Sequence, residues 1–219
     1  MSNIQIRRWH DTITLFSHAL SVTHGNYVAH NNLGIGLLEE NRIREARIHF
    51  VKALEIYPGY MEAMHNMGFA YEKEKKPDSA ITWYKRVVER NPLHAPGWVS
   101  LGSIYQSNGD IQLAINAYRH AIAIDKHNYN VYNDLGVLYF RSGNVQEALD
   151  CFGISMRIDP ARTDAPLNRA RVNLSAGNRE EALHDLRFIV SHHPGDTGVR
   201  SSVSAILRTH GLANFDREL

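Results

Sequence analysis

A single cysteine in 219 residues excludes an internal disulfide framework and any paired-thiol metal knuckle. No apolar run approaches the roughly 20 residues that a membrane-crossing helix needs, and no apolar stretch follows Arg7-Arg8 to make a secretory signal. An excess of one charge is missing too. The 24 Lys and Arg balance 23 Asp and Glu to a net +1, and the basic spots at Arg7-Arg8 and Lys73 to Lys76 are local. That leaves little to neutralise phosphates, so nucleic acid is not expected as a partner. There is no phosphate-cradling glycine loop, no nucleophile elbow and no His-Glu-x-x-His. The lone thiol, Cys151, reads as small apolar filling in a helix. Of the 13 histidines only His192 and His193 are adjacent, before Pro194-Gly195, and no third ligand stands near them. Asn173-Leu174-Ser175 matches a glycosylation acceptor, but its phase turns Asn173 toward a neighbouring helix. The expectation is a non-enzyme with no catalytic, cofactor or metal residues and no direct membrane insertion.

What the chain does have is repetition. Gly34, Gly68, Gly102 and Gly136 are 34 residues apart, and Ala170 stands where a fifth glycine would fall. Ala46, Ala80, Ala114, Ala148 and Ala182 keep the same step. Such ladders mean one structural unit copied about five times. Each glycine sits inside an apolar helical run, where it costs roughly 1 kcal/mol relative to alanine. Close helix approach would offset that cost, and the alanine ladder is the expected partner surface. Each unit is therefore expected to be a helical hairpin.

First helices are expected to end near Asn41, Gly109, Gly143 and Gly177, in the left-handed conformation that satisfies the last carbonyls. Asp110, Asn144 and Asn178 then read as N-caps of the second helices, with Glu147 and Glu181 completing capping boxes. The second unit has Lys75-Lys76-Pro77-Asp78 there instead, which predicts a turn of different shape. Phe50, Tyr84, Tyr118 and Phe152 follow the ladder alanines by four residues. The second helices stop before Pro58, Pro92, Pro160 and Pro194.

Leu-Gly, then Tyr71, Tyr105 or Tyr139, then Ala, an aromatic and Pro, at this period, resembles the tetratricopeptide repeat. The resemblance implies an all-α, right-handed α-solenoid. The units are placed at 27–60, 61–94, 95–128, 129–162 and 163–196, with a partial repeat or cap helix over 1–26 and a capping helix and tail over 197–219. The fifth unit departs most, with Arg169, Ala170, Asn173 and Leu186 for Leu, Gly, Tyr and the aromatic. Phe16 and Ala19 fall in second-helix phase, and Val199, Val203, Ile206 and Leu207 share one face of the last helix.

In this family the first helices line a concave groove, and the resemblance implies that the groove takes an extended protein segment. Its candidate residues here are Asn32, Asn66, Ser100, Asp134 and Asn168 in one phase, and Asn31, His65 and Asn133 one residue earlier. Phe69, Lys73 and Arg141 are added at other groove positions. Asparagine offers a donor and an acceptor together, so it can bind a peptide backbone without selecting side chains. A similar asparagine ladder occurs in the protein O-linked N-acetylglucosamine transferases. The competing reading is that these asparagines are tolerated residues on a solvated helix face. The Lys and Arg positions with which the chaperone-binding branch grips a carboxylate are not matched.

The expected function is a non-catalytic scaffold for protein–protein interaction. The exposed repeat ends are a candidate surface for self-association. An alternative comes from Arg8 to Asp11 with Leu15 to Leu20, running into Asn26 to Gly34, which resemble the start of the repeat region in bacterial membrane glycosyltransferase-like proteins. That resemblance implies a soluble accessory region that presents acceptor protein outside the cytoplasm. Without it, the default expectation is the cytoplasm.

Overall fold

The structure, a computed structural model, describes residues 3–212 and 214–215, with side chains from Thr12 onward. Twelve α-helices and no strand are present among the described residues, in the all-α class expected. They group into two compact units, Met1–Gly109 and Asp110–Leu219. In the first, α1 (Asn3–Val22) packs on α2 (Tyr27–Glu39), which turns back into α3 (Ile43–Ile56). A second hairpin follows, α4 (Met61–Lys73) with α5 (Pro77–Arg90), and α6 (Ala95–Asn108) lies on α5. In the second unit α7 (Ile111–Ile124) lies on α8 (Tyr129–Arg141), which pairs with α9 (Val145–Ile158). There α10 (Asp164–Ser175) pairs with α11 (Arg179–His192), and α12 (Thr197–Thr209) rests on α11.

The close approach at the glycines differs from the one expected. A β-carbon built on Gly34, Gly68 or Gly136 would stand 2.5 Å from a ring carbon of Phe50, Tyr84 or Phe152. The nearest neighbour of these three ladder glycines is thus the aromatic one helical turn beyond the ladder alanine. Burying an aromatic ring is worth about 1.5–3 kcal/mol, more than the roughly 1 kcal/mol that an interior glycine costs. Ala170 and Leu186 apply the same rule in reverse: where the ring is replaced by a leucine, a methyl group fits, and both residues are fully buried in one cluster.

The hairpin turns also correct the reading above. Lys75 has φ 57, in the same left-handed region as Asn41 at 62, Gly109 at 85, Gly143 at 81 and Gly177 at 84. The bond from Lys76 N to Tyr71 O, 2.9 Å, matches those from Arg42 N to Leu37 O and Asn144 N to Tyr139 O at 2.8 and 2.9 Å. The second unit therefore turns as the others do, and a lysine bears the strain. Asp110, Asn144 and Asn178 sit at N-cap positions, yet none caps its helix through its side chain. Asn178 instead donates its amide to Asn173 Oδ1 at 3.4 Å. Side-chain caps occur at other helices: Asn26, His94 and Asn128 accept from Ala29 N, Gly97 N and Val131 N, and Asp196 accepts from Val199 N.

The two chain-terminal helices bury their apolar faces. Ile13, Phe16 and Leu20 pack on the α2–α3 cluster, and Val199, Val203, Ile206 and Leu207 are buried as their spacing predicts. Arg8 to Asp11, on which part of the glycosyltransferase-like resemblance rests, lie outside the described side chains, as does most of the expected C-terminal tail.

Candidate functional site

The candidate residues lie on the first helices of the hairpins, and contacts between neighbouring first helices, α2 with α4 and α8 with α10, bring them together. Asn66 Nδ2 donates to Asn31 Oδ1 at 2.9 Å. In the other unit Asn168 Nδ2 donates to Asn133 Oδ1 at 3.0 Å. Both bonds span 35 residues, one more than the repeat, so they join the two phases across adjacent hairpins. Among the described residues no hydrogen bond joins asparagines of the same phase.

Asn31 is 3% exposed and is the deepest of these groups, whereas Asn32, Asn66, Asn133 and Asn168 are half-buried. A buried amide must be paired, and Asn66 supplies that partner. His65 Nε2 and Ser100 Oγ repeat the same 35-residue relation at 3.0 Å. Burial lowers the His65 pKa, and the nearby His94 adds to the effect. The neighbouring Tyr84, its ring centre 5.2 Å from that of His65, donates its hydroxyl to a Glu72 carboxylate oxygen. Burial, reinforced by that bond, raises the phenol far above its ordinary value.

Asp134 occupies the phase of Asn66 and Asn168 but carries a carboxyl. Burial pushes its pKa up to about 6, a hydrogen bond with Tyr118 pulls it back, and Asp164 adds to the rise. Phe69 and Lys73 are neighbours on α4, with Lys73 Nζ 5.0 Å from the centre of the Phe69 ring. Phe69 is exposed, and so is Arg141 on α8. The structure thus links Asn31 with Asn66, His65 with Ser100, Phe69 with Lys73 and Asn133 with Asn168. Among the described residues no hydrogen bond or ion pair ties Arg141 to any of them.

In both asparagine pairs one amide is held by the other. Cys151 is half-buried, and burial, followed by Asp150 and Glu147, pushes its thiol up to about 11. A thiol held protonated is a poor nucleophile. Among the described residues no three His, Cys, Asp or Glu side chains form a group that could hold a metal ion. No helix among them is long and apolar enough to cross a membrane.

Two family models match consecutive stretches of the chain. One, described as tetratricopeptide repeat, covers residues 37–101, and the other, described as TPR repeat, covers residues 102–143. Over residues 37–143, then, the repeats match tetratricopeptide repeats. The solved structures agree in fold with this TPR assignment. A tetratricopeptide repeat protein from Parabacteroides merdae superposes with a TM-score of 0.76 at 17% identity, over 89% of this chain and 78% of its own. YrrB, described as a TPR protein with an unusual peptide-binding site, gives 0.70 at 20% identity, over 87% and 96%. MamA gives 0.70 at 23% identity, over 74% and 95%. No curated protein matches the chain.

Proposed function

We propose that this TPR chain is a non-catalytic protein-interaction scaffold whose first-helix faces bind an extended polypeptide through its backbone. The observation that carries the reading is the recurrence of one asparagine pair, Asn31 with Asn66 and Asn133 with Asn168, at the same offset in both units. In each pair one amide hydrogen and one carbonyl are spent holding the partner in place. Each pair keeps further donor and acceptor capacity, because an asparagine has two amide hydrogens and two carbonyl lone pairs. An amide already locked in orientation loses little entropy when it binds another amide. Asn32, Ser100 and Asp134 extend the polar face, and Phe69 with Lys73 offers an apolar contact beside a charge. Family membership favours a protein partner, and the peptide site named for YrrB is in keeping with it.

The test is a displayed library of random extended peptides panned against the intact chain. Recovered peptides should tolerate alanine at most side chains and lose affinity on N-methylation of single backbone amides. Asn66→Ala with Asn168→Ala should weaken them about tenfold, the loss of one or two hydrogen bonds, with helicity unchanged. Peptides indifferent to both changes would refute backbone recognition by these faces.

A further inference from the structure

In the hairpin of α10 and α11 two of the departures from the repeat pattern, one turn apart, are polar, and a cavity opens there. Arg169 stands where Leu33, Met67, Leu101 and Leu135 stand in the other units, and Asn173 where Tyr71, Tyr105 and Tyr139 stand. In the preceding hairpin Leu135 is fully buried and Tyr139 packs on the cluster around Phe152. Arg169 is instead drawn to Asp185, and asparagine is much smaller than tyrosine. The space left between α9, α10 and α11 measures about 880 Å³.

The polar groups on its floor are fixed but not used up. Arg169 Nε donates to Asp185 Oδ2 at 2.9 Å, and its Nη2 bonds the other oxygen of that 1%-exposed carboxylate. This leaves Nη1 with no partner among the described residues. A β-carbon on Gly153 would lie 3.7 Å from Arg169 Nη1 and 3.7 Å from Arg157 Nη1. The two guanidinium groups therefore converge over a residue whose missing side chain keeps the floor open. Asn173 is 5% exposed and lines the same space. Its Oδ1 accepts from Asn178, and its Nδ2 has no partner among the described residues. Asp150, Glu180 and Glu181 stand exposed around the rim.

We propose that this cavity is a second recognition site, for a polypeptide segment that presents an Asp or Glu side chain next to a Lys or Arg. The carboxylate would bridge Arg157 and Arg169, the geometry that guanidinium donors favour, and would satisfy the idle amide of Asn173. The adjoining cation would meet the rim carboxylates. A free anion gains the floor contacts but faces uncompensated repulsion from Asp150, Glu180 and Glu181, which is why the segment carries both charges. From α10 the site uses Arg169 and Asn173, not Asn168, so it works independently of the asparagine faces.

The test is an NMR titration of the intact, ¹⁵N-labelled chain, reading the Asn173 side-chain amide and the Arg157 and Arg169 Nε signals. The probes are the capped peptide Gly-Glu-Lys-Gly, its Gln-Lys and Glu-Gln analogues, and inorganic phosphate. The Glu-Lys peptide should move all three signals saturably, with a Kd on the order of 1 mM. Each analogue and phosphate should bind about tenfold more weakly. Asn173→Tyr, which restores the repeat residue and fills the cavity, should abolish the response; Arg157→Gln should do so if that variant fails to fold. Unmoved signals, equal shifts with phosphate, or unchanged binding by a folded variant would each overturn the proposal.

Discussion

The ring of Phe152 lies against the backbone of Gly136 so closely that a β-carbon there would stand 2.5 Å from Phe152 Cε1. Because Phe152 is 1% exposed, the ring has little room to move away. Gly136→Ala should therefore destabilise the protein by about 1–3 kcal/mol through overpacking, although alanine is the better helix former by about 1 kcal/mol. Pairing it with Phe152→Leu reproduces the Ala170 and Leu186 combination. Chemical denaturation of the two single variants and the double variant should give a double variant more stable than the sum of the singles predicts. Simple additivity would refute the ring-on-glycine account.

Asp134 makes a pH prediction of definite sign. Its folded-state pKa of about 6 lies above the ordinary carboxylate value of 3.8, so ionisation is harder in the folded chain. Stability from this group is full below the ordinary value and declines as pH rises through about 6. Asp134→Asn should raise the Tm near neutral pH and change it little near about pH 4. A variant that is less stable at neutral pH would show that the Tyr118 hydrogen bond outweighs desolvation.

His30 and His49 face each other across α2 and α3, with their Nδ1 atoms 3.0 Å apart. Burial lowers both pKa values. For His30 the next cause is Lys52, opposed by Glu55; for His49 it is His30, then Lys52, opposed by Glu45. A lowered histidine pKa means that the unfolded chain takes up protons first. The stabilising contribution is present above about pH 6.5 and is lost as pH falls through the folded values. Thermal melts should show a shallower loss of Tm between about pH 7.5 and about pH 5.5 for His30→Gln with His49→Gln than for the natural chain. Parallel curves would assign the acid sensitivity to other histidines.

Lys75 holds φ at 57 in a turn where Gly109, Gly143 and Gly177 stand in later repeats and Asn41 stands in the first. A left-handed conformation costs a side-chain-bearing residue about 1–2 kcal/mol, while glycine gives back part of the gain through the greater freedom of its unfolded chain. Lys75→Gly should stabilise the protein by about 0.5–1 kcal/mol, measured by urea denaturation with an unchanged m-value. Gly143→Lys, the reverse change in the other unit, should destabilise by a similar amount.

Sequence by itself determined the repeat, the helical hairpins and the left-handed turn at Gly109, Gly143 and Gly177. These features depend on residues close in the chain, where a 34-residue period and glycine's conformational freedom act directly. Tertiary structure decided which side chains meet. Placing Asn66 on Asn31 rather than on Asn32 depends on the stagger of α4 against α2, set by how whole helices pack and invisible in the phase of either one. The ring over Gly34, Gly68 and Gly136, in place of the expected alanine, depends in the same way on the packing of two helices within a hairpin. In the last hairpin, Arg169 and Asn173 were legible as departures from the repeat. Their consequence, a cavity with two guanidinium groups over Gly153, required the three helices around it to be in place.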